Sequence, residues 1–83
     1  MRITRACIRI YGLRIYFQAN PDALNMDLTA QELQSAIDND LVFKHLDSSP
    51  TESIYVFRTK GRTLLKQLNN RQMELVARLQ GRR

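Results

Sequence analysis

Lys44-His45 followed by Asp47, Ser48 and Ser49 is the densest run of chemically capable side chains in this sequence. An imidazole near a carboxylate and hydroxyls can move a proton, but hydrolytic chemistry also needs a nucleophile on a strained turn or a glycine-rich cradle. Gly12, Gly61 and Gly81 are too scattered to build either, so no enzyme is expected. Cys7 is the only cysteine and His45 the only histidine. One chain therefore forms no internal disulfide and no Cys/His zinc cluster, and neither metal nor cofactor is expected. What remains is recognition through charge and stacking. Arg58, Lys60 and Arg62 follow an apolar run, and Arg5 and Arg9 lie near the start among apolar residues. Tyr11, Tyr16, Tyr55 and Phe57 are interleaved with arginines; such pairs can stack bases, although core packing is the commoner use of these rings.

The formal charge of +5 permits a nucleic-acid partner, but its arrangement is uneven. Arg2, Arg5, Arg9 and Arg14 precede the first acid. The middle then carries Asp22, Asp27, Glu32, Asp38, Asp40, Asp47 and Glu52 against Lys44 alone, and the last third returns to Arg58, Lys60, Arg62, Lys66, Arg71, Arg78, Arg82 and Arg83 against Glu74. Either these are solvated faces whose opposite charges meet on folding, or the basic residues serve a nucleic-acid partner. With 43% hydrophobic and 25% charged residues the composition is that of an ordinary globular protein of one domain, 1–83. No apolar run approaches the roughly 20 residues of a bilayer helix, and Arg9, Gly12 and Arg14 interrupt Ala6 to Phe17, so a cytoplasmic protein off the membrane is expected.

The elements that must position these residues are unevenly legible. From Ile3 to Gln18 the apolar residues fit one side of a helix through Ile3, Cys7, Ile10, Leu13 and Phe17. They equally fit two strands broken at Tyr11-Gly12, which the isoleucines and aromatics favour. Asn20-Pro21-Asp22 is a boundary. Thr29 with Glu32 forms a capping box, so a helix begins there, with Ala30, Leu33, Ala36 and Ile37 on one stripe and Asp38-Asn39-Asp40 at its end. Asn39 is expected to take the left-handed conformation. Leu41 to Leu46 suits a short helix or a strand, Ser48 to Ser53 is turn chemistry, and Ile54 to Phe57 is a strand. A long helix follows over 61–80. Its Leu65, Leu68, Gln72, Leu75 and Leu79 form a heptad seam, expected to pair with a second copy, with Gln72 fixing the register.

Taken together, Tyr11 to Pro21, Leu28-Thr29-Ala30-Gln31-Glu32-Leu33, Val42-Phe43-Lys44-His45-Leu46 and Ile54 to Gly61 resemble winged helix-turn-helix regulators of the ArsR and MarR kind. In that resemblance Tyr11 to Pro21 is the first helix and its turn, Leu28 to Leu33 opens the second, Val42 to Leu46 ends the recognition helix, and Ile54 to Gly61 is a wing strand. The likeness covers about two thirds of the chain and departs from the family at Gln34 and Asp38, where a small residue and a turn glycine are usual. It implies an α+β winged-helix-like core over 3–68 with a C-terminal dimerisation helix over 61–80. It also implies a homodimer on double-stranded DNA, with Lys44 and His45 facing base edges and Arg58, Lys60, Arg62, Arg5 and Arg9 contacting phosphates.

Two functions from different classes follow. The first is a small sequence-specific transcription regulator of phage, plasmid or compact-operon type. The second is an inhibitor or adaptor that docks another protein through Asp38, Asp40 and Asp47, carboxylates that a phosphate backbone repels. If residues 3–18 pleat and 41–46 extend, the fold is instead a ββαββα two-layer sandwich, which suits the second.

Overall fold

Ile8 and Ile10 lie on one side of an extended chain and Cys7, Arg9 and Tyr11 on the other, and the period of two prevails over the helical one. The computed structural model describes residues 5–81, and the first elements in it are strands, β1 (Cys7–Tyr11) and β2 (Arg14–Gln18). Gly12 takes φ +62° at the first position of their two-residue loop, the backbone a type II′ hairpin turn asks of glycine. Of the two alternatives for 3–18, the helix that the resemblance implies is thus replaced by a hairpin from Cys7 onward; Ile3 falls outside the described residues, as do Arg2, Arg82 and Arg83.

A two-residue strand β3 (Met26–Asp27) pairs with β2, and helix α1 (Ala30–Asp38) follows. Its capping box forms as expected. The Thr29 hydroxyl accepts from the Glu32 amide at 3.1 Å, and the Glu32 carboxylate accepts from the Thr29 amide at 2.9 Å. At the other end the Leu41 amide donates to Ala36 and the Asp40 amide to Ile37, the paired bonds of a Schellman motif. Asp40, not Asn39, is the left-handed residue, at φ 61°. That stop turns the chain directly into β4 (Val42–Lys44), so the segment expected to end a recognition helix is a strand. It pairs with β5 (Glu52–Phe57) at the sheet edge. Among the described residues no helix-turn-helix pair exists, and the order is that of the alternative, two strands, helix, two strands, helix, with β3 added.

The sheet runs β3-β2-β1-β5-β4, all neighbours antiparallel. After β5 a single 3₁₀ turn (Thr59–Gly61) leads into α2 (Arg62–Gln80). Gly61 is buried, and a Cβ there would fall on the carbonyl oxygen of Leu41, so only glycine lets this turn lie against the start of β4. Both helices pack on one face of the sheet, where Ile8, Phe17, Met26 and Val42 meet Leu33 and Ala36 of α1 and Leu68 of α2. Phe17 and Phe57 meet edge to face there, 6.0 Å apart. No helix of the described residues is long and apolar enough to cross a membrane.

The heptad seam of α2 is directed at this core. Leu68 is buried, and Leu65 and Leu75 are half-buried against the core cluster. Gln72 is buried with its side-chain amide donating to the carbonyl of Leu24. The seam expected to hold a second copy is therefore occupied by the chain's own sheet and 20–24 loop, and of its members only Leu79 is exposed. The physical reason is that α2 lies across the sheet, so its apolar stripe finds an intrachain partner.

Candidate nucleic-acid interface

On the sheet face away from the helices, register sets the side chains in rows. Asp27, Tyr16, Arg9 and Ile54 are neighbours across β3, β2, β1 and β5, and His45 continues the row by donating its amide to Ile54 at 2.7 Å. The adjacent row runs Gln18, Cys7, Val56 and Phe43. Cys7, Ile54 and Val56 form a small second core with Phe43 packed on it, and no residue of either helix joins it. Burial pushes the Cys7 thiol above its ordinary range, with Arg9 opposing.

Three arginines on this face are each held by an acid. Arg9 reaches Glu52 at 3.2 Å and Gln18 at 3.1 Å, and its side chain is only 17% exposed. Gln18 in turn donates to Asn25 at 3.2 Å. Arg14 bonds Asp27 at 3.0 Å, with its guanidinium 4.9 Å from the centre of the Tyr16 ring. Arg58 bonds Asp40 at 3.2 Å and lies 4.9 Å from the centre of the Phe43 ring. The same carboxylate, guanidinium and aromatic arrangement thus stands at both sides of the sheet. Burial, and then the nearby Glu52 carboxylate, raise the Tyr16 hydroxyl above the usual phenol range despite Arg9 and Arg14.

The residues expected to contact DNA are dispersed over this frame. Arg9, His45 and Arg58 lie on or beside the helix-free face, and Arg5 precedes β1 at the end of the sheet where β5 leaves. Lys44 shares its register position with Tyr55, in the opposite phase to His45, and is exposed on the edge strand. Lys60 and Arg62 are exposed at the entry to α2. The His45 Nδ1 accepts from the Asp47 amide at 3.0 Å. Ser48 and Ser49, near it in sequence, hold the β4–β5 loop instead: the Ser48 hydroxyl accepts from Ile54 at 2.9 Å and the Ser49 hydroxyl from Glu52 at 3.1 Å. Among the described residues no group of three His, Cys, Asp or Glu side chains is placed to share a metal ion.

Charges from the ends and the middle do meet. Arg9–Glu52, Arg14–Asp27, Arg58–Asp40 and Arg71–Glu32 all join a basic end to the acidic middle. The cations left without a carboxylate partner among the described residues are Arg5, Lys44, Lys60, Arg62, Lys66 and Arg78. Lys60, Arg62 and Lys66 fall within the 3₁₀ turn and first turns of α2, a helix start with no side-chain cap and no acid. Sequence reasoning singled out neither Lys66 nor the Arg14–Tyr16 and Arg58–Phe43 pairs. The spacing of Arg62 and Lys66, one helical turn, was the available signal for the first; the pairs depend on register. Of the acids proposed for protein docking, Asp40 is held by Arg58 and Asp38 accepts from Gln34 at 2.8 Å.

No protein-family model matches the chain, and neither the search of curated proteins nor that of solved structures found a match to it.

Proposed function

We propose that this protein is a small nucleic-acid-binding regulator whose phosphate contacts come from Lys60, Arg62 and Lys66. The observation that carries the reading is where charge remains once ion pairs are taken out. Four arginines are neutralised by acids of the middle segment, and the unpaired cations concentrate at the entry to α2. Phosphate neutralisation releases counterions and supplies most nonspecific affinity, so such a cluster is worth more to a nucleic acid than to a neutral surface. The first turn of α2, with no side-chain cap and no acid, adds positive potential beside Lys60 and Arg62. Arg5 extends the same sign to the neighbouring end of the sheet.

Lys44 ends strand β4 and His45 follows it, not on a helix, so sequence-specific duplex recognition through them has less support than the phosphate contacts. The adaptor reading through Asp38, Asp40 and Asp47 has less again, because Arg58 already engages Asp40. Fluorescence anisotropy with labelled duplex and single-stranded oligonucleotides, at low and moderate salt, tests the proposal. Binding that weakens with salt, and that is lost when Lys60, Arg62 and Lys66 are neutralised together, is the expected result; no binding at low salt ends it.

A further inference from the structure

We propose that the helix-free face of the sheet is a stacking platform for unpaired bases of single-stranded nucleic acid, with Tyr16 and Phe43 as its rings. The inference rests on the nucleic-acid reading and names the form of ligand. Tyr16 and Phe43 are half-buried on the face that carries no helix among the described residues, and each has a guanidinium over it, 4.9 Å from the ring centre. A planar cation on an aromatic ring occupies the place a base would take.

Those two guanidiniums are exchangeable. The side chains of Arg14 and Arg58 are 54% and 46% exposed and their partners Asp27 and Asp40 are 75% and 66% exposed, and ion pairs so exposed contribute little to stability. A base that displaces either guanidinium from its ring therefore forfeits little, and the cation can keep its carboxylate. Arg9 differs, being largely buried and fixed by both Glu52 and Gln18, so the middle of the platform is a rigid floor.

Charge and dimensions favour a single strand. Arg5, Lys60 and Arg62 stand at the end of the sheet where β5 runs into α2, giving a phosphate backbone a continuation beyond the rings. Tyr16 on β2 and Phe43 on β4 are three strand spacings and one row apart, about 16 Å. Bases a few nucleotides apart on one strand span that interval. In a duplex the bases are stacked on one another and present edges, not faces, to a sheet, whereas every unpaired base has a face to offer.

The test uses the full chain and a short labelled oligonucleotide, single-stranded or annealed to its complement, read by fluorescence anisotropy. Tyr16→Leu and Phe43→Leu keep apolar bulk and remove stacking, and circular dichroism confirms that each variant folds. Each is expected to weaken single-strand binding roughly tenfold while leaving duplex binding and the salt slope unchanged, with Phe43→Tyr restoring affinity. Full single-strand affinity in the folded double leucine variant overturns the platform. So does a wild-type protein that binds duplex alone, which leaves the phosphate reading standing; a protein that binds neither form overturns both.

Discussion

Arg71 of α2 donates to the Glu32 carboxylate at 2.7 Å, and Glu32 is the residue that closes the capping box of α1. One carboxylate therefore caps a helix with one oxygen and ties it to the second helix with the other. The Thr29 amide first, and Arg71 after it, hold the Glu32 carboxyl below its ordinary pKa. A depressed folded pKa means that the contribution is complete above the unfolded glutamate value and is lost as pH falls through the folded one. Urea unfolding monitored from neutral pH downward should show stability falling in that acidic window, and Glu32→Gln should flatten this part of the profile. The pair is partly exposed, so Arg71→Ala alone should cost no more than about 1 kcal/mol.

Gly61→Ala should be among the most damaging single changes. Its Cβ would meet the backbone of Leu41, which no side-chain rotation relieves. A loss of about 1–3 kcal/mol is expected, lowering Tm by several degrees or more in thermal unfolding.

Asp40→Gly should act in the opposite direction. Asp40 carries the left-handed backbone of the Schellman stop, which costs a residue with a Cβ roughly 1 kcal/mol or more, and its exposed pair with Arg58 returns less. Chemical denaturation should show the glycine variant to be more stable, by about 0.5–1 kcal/mol.

Gln72→Ala should cost about 1–3 kcal/mol in the same measurement, because it removes the amide that satisfies the carbonyl of Leu24 beneath a buried helix position. Gln72→Glu should cost more, since a carboxylate offers that carbonyl no donor.

The Cys7 thiol, 1% exposed and held above its usual pKa by burial, should react with a disulfide reagent at neutral pH only as fast as the protein opens. Modification at the rate of an exposed thiol would contradict the placement of Cys7 beneath Phe43 and between β2 and β5.

The capping box at Thr29 and Glu32 and the strand at Ile54 to Phe57 are legible in the sequence because each is decided within a few residues. The opening segment is not. Cys7, Ile10 and Phe17 satisfy helical spacing, and what selects the hairpin is Gly12 at positive φ together with pairing of β1 to β5, some 45 residues along the chain. Val42 to Lys44 is too short to declare itself and becomes a strand because the stop at Asp40 aims it at Phe57. The charge blocks were visible, yet which arginine meets which acid follows from register. Arg14 reaches Asp27 only because Tyr16 pairs with Asp27 on the neighbouring strand. The leucine seam of α2 has the spacing of a paired helix, and spacing alone does not distinguish a second copy from the chain's own sheet.

The unpaired cations at the start of α2 are tested most directly by the salt dependence of oligonucleotide affinity. Log affinity should fall linearly with log salt, and neutralising Lys60, Arg62 and Lys66 should make that line shallower by about 2 for a single strand. The double variant Glu32→Gln, Arg71→Gln, which removes a cation already paired, should leave the slope nearly as it was. Equal slopes for the wild-type and triply neutralised proteins would contradict the assignment.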